Sequence, residues 1–334
     1  MKKFSILILI IHSLNIWTGE GQVTRLNNID IWWQEYGEKD HPTILMIMGL
    51  NSNSKVWPDK FIKKLVEEEF HVVIFDNRDI GKSTWLTEEP GFISFIKRLP
   101  EFIIEFFVDF SLDFMFDDQG RFNMANPAPA EYDLNDMALD GIALLDYLNI
   151  ERAHIVGASL GGMISQEMTL NYPDRVQTLT ILMSTPGFDT PGLSGPTDSF
   201  RKSIKDSFLL NMLQKPKQAL VVSEKALVGS RYPFDQDKFQ EEVKKRIEHG
   251  INTSNAQMMA VGASPNRAGR LYEINKPTLI IHGTEDPLIP LDHGIFLFDN
   301  IQNSKKLILE GVGHEIPDES LDEIIPKMIE NFSF

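Results

Sequence analysis

The chain has 334 residues and 38.1 kDa, is 42% apolar and 24% charged, and carries a formal net charge of −16 with a pI near 4.9. That is the composition of a folded globular protein, and its acidity repels phosphate backbones and anionic headgroups, so nucleic acid is excluded as a general partner. The sequence has no cysteine, which rules out disulfides, thiolate zinc sites, thiol catalysis and a lipidated cysteine.

The N-terminus reads Met1-Lys2-Lys3, then an apolar run from Phe4 to Ile11 that continues with interruptions to Trp17, then a polar exit, Thr18-Gly19-Glu20-Gly21. Two positive charges and a short apolar stretch are the pattern of a secretory signal peptide, and the stretch falls short of the ~20 residues of a spanning helix. Residues 1–21 are therefore expected to be a signal or an N-terminal anchor. Export, periplasmic or secreted, is the expected localisation, with an uncleaved membrane anchor or a cytoplasmic chain as the alternatives. The folded domain is expected over 22–334.

From Gln22 short β-branched runs alternate with helical patterns, which predicts an α/β fold with a mostly parallel sheet. Ile29 to Tyr36 and Thr43 to Met48 read as strands, Trp57 to Glu68 as a helix, and His71 to Phe75 as a strand. A helix over Asp133 to Tyr147, capped by Asp133, precedes strand Ala153 to Val156. Helix Gly162 to Asn171, strands Val176 to Met183, Pro277 to Ile281 and Lys305 to Leu309, and helix Leu321 to Phe332 complete the alternation. Two stretches interrupt it, about 92–122 and 185–272, and both are expected to form a cap or lid. The second contains three helical patterns, Arg201 to Leu213, Lys217 to Val228 and Asp235 to His249.

The first interruption holds nine of the 22 phenylalanines. Phe95, Leu99, Phe102, Phe106 and Phe110 fall at helical spacing, with Lys97, Glu101, Glu105 and Asp109 on another face. Pro100 suits the first turn of a helix, which separates Phe95 and Leu99 into a preceding turn. The plainer expectation is a lid helix that buries its phenylalanine stripe on the core. The sharper one is a stripe that lines an acyl or polyketide pocket or touches a lipid interface. Mixed charge excludes a membrane span, and the acidic face argues against anionic membranes.

Strand Ala153 to Val156 runs into Gly157-Ala158-Ser159-Leu160-Gly161-Gly162, and a helix follows. This is G-x-S-x-G in a strand–turn–helix context, where the tight turn strains the central residue and side chains two positions away would collide. Ser159 is the expected nucleophile. A serine hydroxyl requires a base, and the base an orienting acid. His314, in Gly311-Val312-Gly313-His314-Glu315 beyond the last strand, is the expected base. His41, His249 and His293 read as surface and His71 and His154 as structural, while His282 packs beneath the acid loop. The acid is expected after strand Pro277 to Ile281, in His282-Gly283-Thr284-Glu285-Asp286-Pro287. There Asp286, before a proline, is preferred to Glu285. Backbone amides of Leu160, after the nucleophile, and Leu50, in Met48-Gly49-Leu50-Asn51, are the expected oxyanion donors. No metal or cofactor is needed.

These motifs resemble the α/β-hydrolase superfamily, whose triad order along the chain is that of Ser159, Asp286 and His314. Within it the chain resembles the aclacinomycin methylesterase-like branch of serine esterases. The branch resemblance rests on Met48-Gly49-Leu50 with Trp57-Pro58, Asp76-Asn77-Arg78-Asp79-Ile80-Gly81-Lys82-Ser83, Ala263-Ser264-Pro265-Asn266-Arg267, the Asp286 loop and Gly313-His314-Glu315-Ile316-Pro317. It implies a serine hydrolase acting on a small, apolar ester. Lactonase, thioesterase, peptidase and C–C bond hydrolase are alternatives on the same fold, as is a ligand-binding protein on the same scaffold. Arg78 and Asp79 are expected to be scaffold.

Overall fold

The computed structural model describes residues 20–124, 129–251 and 255–333; the expected signal segment lies almost wholly outside them. An eight-stranded sheet organises the chain: β1 (Gln22–Leu26), β2 (Ile29–Tyr36), β3 (Thr43–Ile47), β4 (His71–Phe75), β5 (Ala153–Ala158), β6 (Val176–Leu182), β7 (Thr278–Gly283) and β8 (Ser304–Leu309). Their spatial order is β1-β2-β4-β3-β5-β6-β7-β8. Strands β4 to β8 and β3 run parallel, while β1 and β2 are antiparallel additions at one edge. β1 was not among the predicted strands. Its five residues are mostly exposed, so no apolar alternation marked them, and pairing with β2 alone makes it a strand.

All five residues of β3 are buried, as for a parallel strand covered on both faces. Successive side chains go to opposite faces. Leu45 and Ile47 join a core with α4 (Leu134–Tyr147) and α5 (Leu160–Asn171), whereas Ile44 and Met46 join one with α1 (Asp59–Glu67) and α11 (Leu321–Phe332). Asp133 caps α4 in a reciprocal capping box with Asp136. α10 (Leu291–Asn300), also absent from the predicted elements, covers β7 and β8 from the α5 side.

The two interruptions are helical. Between β4 and α4 lie α2 (Gly91–Ile96) and α3 (Glu101–Met115), with Pro100 at the start of α3. Between β6 and β7 lie α6 (Asp198–Met212), α7 (Pro216–Leu227), α8 (Gln236–His249) and α9 (Ala256–Ala263). The plainer expectation for α3 is overturned. Its buried residues are Ile104 and Val108, packed with Met212 of α6, while Phe95, Phe102, Phe106 and Phe110 stand 54–72% exposed. The helix is apolar on two faces, and the aliphatic one has the partner.

Candidate active site

The parallel strands end at one edge of the sheet, and the loops that leave β3, β5, β7 and β8 there carry the predicted residues. Ser159 sits between β5 and α5 with φ 54° and ψ −117°, a conformation that side chains rarely adopt. Its amide donates to Leu182 O at 2.9 Å, and its carbonyl accepts from Gly162 N and from Ser184 Oγ at 2.6 Å. The flanking glycines are required by contact. A β-carbon on Gly157 would stand 2.2 Å from Gly161 O, and one on Gly161 would stand 1.9 Å from Ile47 O. The backbones of β3, β5 and α5 therefore close on one another, and the serine is forced out of the turn.

The β3 loop reaches the same point. A β-carbon on Gly49 would lie 3.1 Å from Ser159 Cβ and 3.6 Å from its Oγ, so residues 49 and 50 run past the hydroxyl. Asn77 Nδ2 donates to Met48 O at 3.0 Å. Asn51 N donates to Gln257 Oε1, and Gln257 Nε2 donates to Arg78 O, both at 2.8 Å. Leu160 is the first residue of α5, where amides have no intrahelical acceptor. Ser184 and Gln257 were invisible to sequence reading, because no local pattern links Gln257 to residues more than a hundred positions away or Ser184 to a turn it merely supports.

Asp286 and His314 are brought into direct contact. His314 Nδ1 donates to Asp286 Oδ2 at 2.7 Å, and Asp286 Oδ1 accepts the amides of Leu288 at 3.0 Å and Ile289 at 2.8 Å. The carboxylate is buried, and three donors fix its orientation. His282 lies beneath it as expected, 3.5 Å from Asp286 Oδ2, with Nε2 donating to Ile289 O at 2.7 Å. Burial lowers its pKa, so the ring there is neutral. Glu285 turns away from His314 and accepts the Ser230 amide and hydroxyl, each at 2.7 Å.

The segment after α7 binds this loop pair repeatedly. His314 N donates to Leu227 O, Gly229 N to Glu315 Oε1, and Arg231 N to Gly311 O. Burial raises the Glu315 pKa. The fit is close: a β-carbon on Gly313 would stand 2.1 Å from Leu227 O.

Two expectations about histidines are corrected. His249 and His293 are buried, not surface residues. His249, at the end of α8, bonds Asp76 Oδ2 at 2.7 Å, and Asp76 Oδ1 also accepts Ser54 N and Oγ, so the insertion is fastened to the core through a buried carboxylate. His293 accepts from Thr185 Oγ1 and donates to Ser194 O, both at 2.8 Å, and burial lowers its pKa. In both cases polar neighbours in the sequence suggested solvent, but the polar neighbours in space are what permit burial. His41 is partly exposed, and His71 and His154 are buried in the core. Arg78 forms a buried two-point pair with Asp140, both contacts at 2.8 Å, and Asp79 Oδ1 accepts the Leu86 and Thr87 amides. Asn266 ties the α9 end to Thr190 beyond β6, and Arg267 ties it to Glu167 of α5.

A family profile described as the alpha/beta hydrolase fold matches residues 42–321. Rhodomycin D methylesterase DauP of Streptomyces sp. (strain C5) is 25% identical over 313 residues, covering 87% of this chain and 91% of that protein. A 2-hydroxy-6-oxononadienedioate/2-hydroxy-6-oxononatrienedioate hydrolase of Pseudomonas putida is 30% identical over 184 residues, 54% of this chain and 62% of that protein. Among solved structures, the esterase EaEST from Exiguobacterium antarcticum superposes with a TM-score of 0.68 at 18% identity, covering 94% of this chain and all of that one.

Proposed function

The chain belongs to the alpha/beta hydrolase fold family, and on that premise we propose that it is a serine hydrolase that cleaves carboxylic esters of small, apolar molecules through an acyl-enzyme. The observation that carries this reading is the 2.7 Å bond from His314 Nδ1 to Asp286 Oδ2, at the sheet edge where Ser159 occupies its strained turn. With Nδ1–H held by a carboxylate, the imidazole presents Nε2 as the base. His314 takes the proton as Ser159 Oγ attacks the ester carbonyl, and the amides of Leu50 and Leu160 receive the oxyanion. The imidazolium, held in place by Asp286, then protonates the departing alcohol. Water repeats the sequence on the acyl group and regenerates Ser159.

An ester is preferred to the other substrates this machinery serves because the methylesterase similarity spans most of both chains, whereas the Pseudomonas putida hydrolase matches about half of this one. Leu50, only partly buried in the loop that passes Ser159, favours an apolar substrate.

The test is labelling with a fluorophosphonate, together with turnover of bulky methyl esters and p-nitrophenyl esters. The native chain should label at Ser159 and turn over, and Ser159→Ala should lose both with its fold intact. Full turnover by Ser159→Ala would overturn the reading.

A further inference from the structure

α3 carries a period of four: Glu101-Phe102, Glu105-Phe106, Asp109-Phe110 and Asp113-Phe114. Residues four apart stack on a helix, so the repeat writes two parallel ridges, one of carboxylates and one of phenyl rings. Both ridges face outward. Phe102 is 68% exposed, Phe106 72%, Phe110 54% and Phe114 63%, and Phe92 and Phe95 of α2 are also exposed, at 60% and 62%. Phe92 packs edge-on against Phe107, and Phe110 against Phe114. The helix is held from behind by Ile104 and Val108, and Asp109 pairs with Lys205 of α6 at 2.5 Å. With roughly 200 Å² for each ring, the four of α3 expose about 500 Å², as much as the largest patch of an ordinary monomer.

We propose that this double ridge docks the protein on a lipid surface of zwitterionic headgroups, with the rings reaching the acyl boundary and the helix lying in the membrane plane. The charge pattern selects that occupant. An anionic bilayer is repelled by the carboxylate ridge and by a chain of net charge −16. A second copy joined by two-fold symmetry would gather both carboxylate ridges around one apolar seam. A phosphocholine or phosphoethanolamine surface instead offers its ammonium groups outermost, and carboxylates beside aromatic rings attract such cations. The amphipathic interfacial mode also fits the helix itself, since among the described residues no helix is long and apolar enough to cross a membrane. The leader-like Lys2-Lys3 and Phe4 to Ile11 would bring the chain to a membrane in the first place.

The test follows the ridge itself. Phe106→Trp is prepared in the full chain, and its emission is compared with that of the native chain on adding phosphatidylcholine vesicles, with and without lipid brominated in the acyl chain. The added tryptophan should shift to the blue and be quenched by the bromines. Phe102→Ser combined with Phe110→Ser in that background should weaken the response about tenfold or more, with turnover of a water-soluble ester unchanged. An added tryptophan that ignores vesicles would overturn the proposal. So would a stronger response to phosphatidylglycerol than to phosphatidylcholine. A blue shift that appears without lipid and rises with protein concentration, alongside a dimer in sedimentation, would assign the ridge to a second copy. The fluorescence readout does not use catalysis, so its failure and that of the esterase reading are separable.

Discussion

The His314 amide donates to the Leu227 carbonyl at 2.8 Å, so the loop that carries the imidazole is bonded, backbone to backbone, to the helical insertion. Together with Gly229 to Glu315, Ser230 to Glu285 and Arg231 to Gly311, it makes a strap across the loops after β7 and β8. The insertion therefore fastens the loop that carries the imidazole.

Loosening the strap should slow chemistry more than it weakens binding. Glu285→Ala removes both acceptors of Ser230 and leaves the side chains of Asp286 and Ser159 unchanged. Small misplacements of reacting groups cost up to about 100-fold in rate, so a fall in kcat of roughly 3- to 10-fold with little change in KM is expected. Steady-state kinetics on one soluble ester, with Glu285→Gln partly restoring kcat, provide the check. Equal kcat in all three proteins would separate the strap from catalysis.

Asp286→Asn should nearly abolish turnover while the fold survives. The amide can donate to Nδ1 and so holds the wrong tautomer, a change that costs on the order of 10⁴ in kcat in the best-known triad. Ester turnover paired with far-UV circular dichroism measures this. A loss below about tenfold would mean that the acid is elsewhere.

The glycines of the serine turn should differ sharply from glycines in open space. Gly161→Ala drives a β-carbon to within 1.9 Å of Ile47 O, a backbone atom that cannot swing aside. A cost of at least about 3 kcal/mol is expected. Gly269→Ala, with nothing within 4 Å of its β-carbon, should stay within about 0.5 kcal/mol. Urea midpoints of the two variants decide the point.

Acid should weaken the fold through buried histidines that stay neutral. Burial lowers the pKa of His71, His282 and His293, and takes His154 down to about 4. The unfolded chain takes up these protons first, near pH 6.5, so stability is complete above that value and declines as pH falls toward 4. His154 alone contributes on the order of 3 kcal/mol to the decline. Urea unfolding at pH 7 and pH 5 should show the slope, and His154→Asn should flatten it. An unchanged slope in that variant would remove His154 from the explanation.

The serine turn could be read from sequence because its determinants are local. Two glycines and a serine between a strand pattern and a helix pattern set the turn within six residues. The loops of Asp286 and His314 were legible for a related reason, since each directly follows a strand whose apolar run marks its end. The buried places of His249 and His293 were not legible. Their partners, Asp76 and Thr185, lie more than a hundred positions away in the chain.

By itself the sequence determined the strand–helix alternation, the strained turn at Ser159 and the placing of Asp286 and His314 in loops that follow strands, because sterics and side-chain period act over a few residues. Packing of distant segments decided which apolar face of α3 turned inward, which histidines were buried, and that the segment after α7 would bind the His314 loop. A two-faced helix presents either face equally well to its own sequence. α6, with Met212 against Ile104 and Val108, broke that symmetry and left Phe102, Phe106, Phe110 and Phe114 outside.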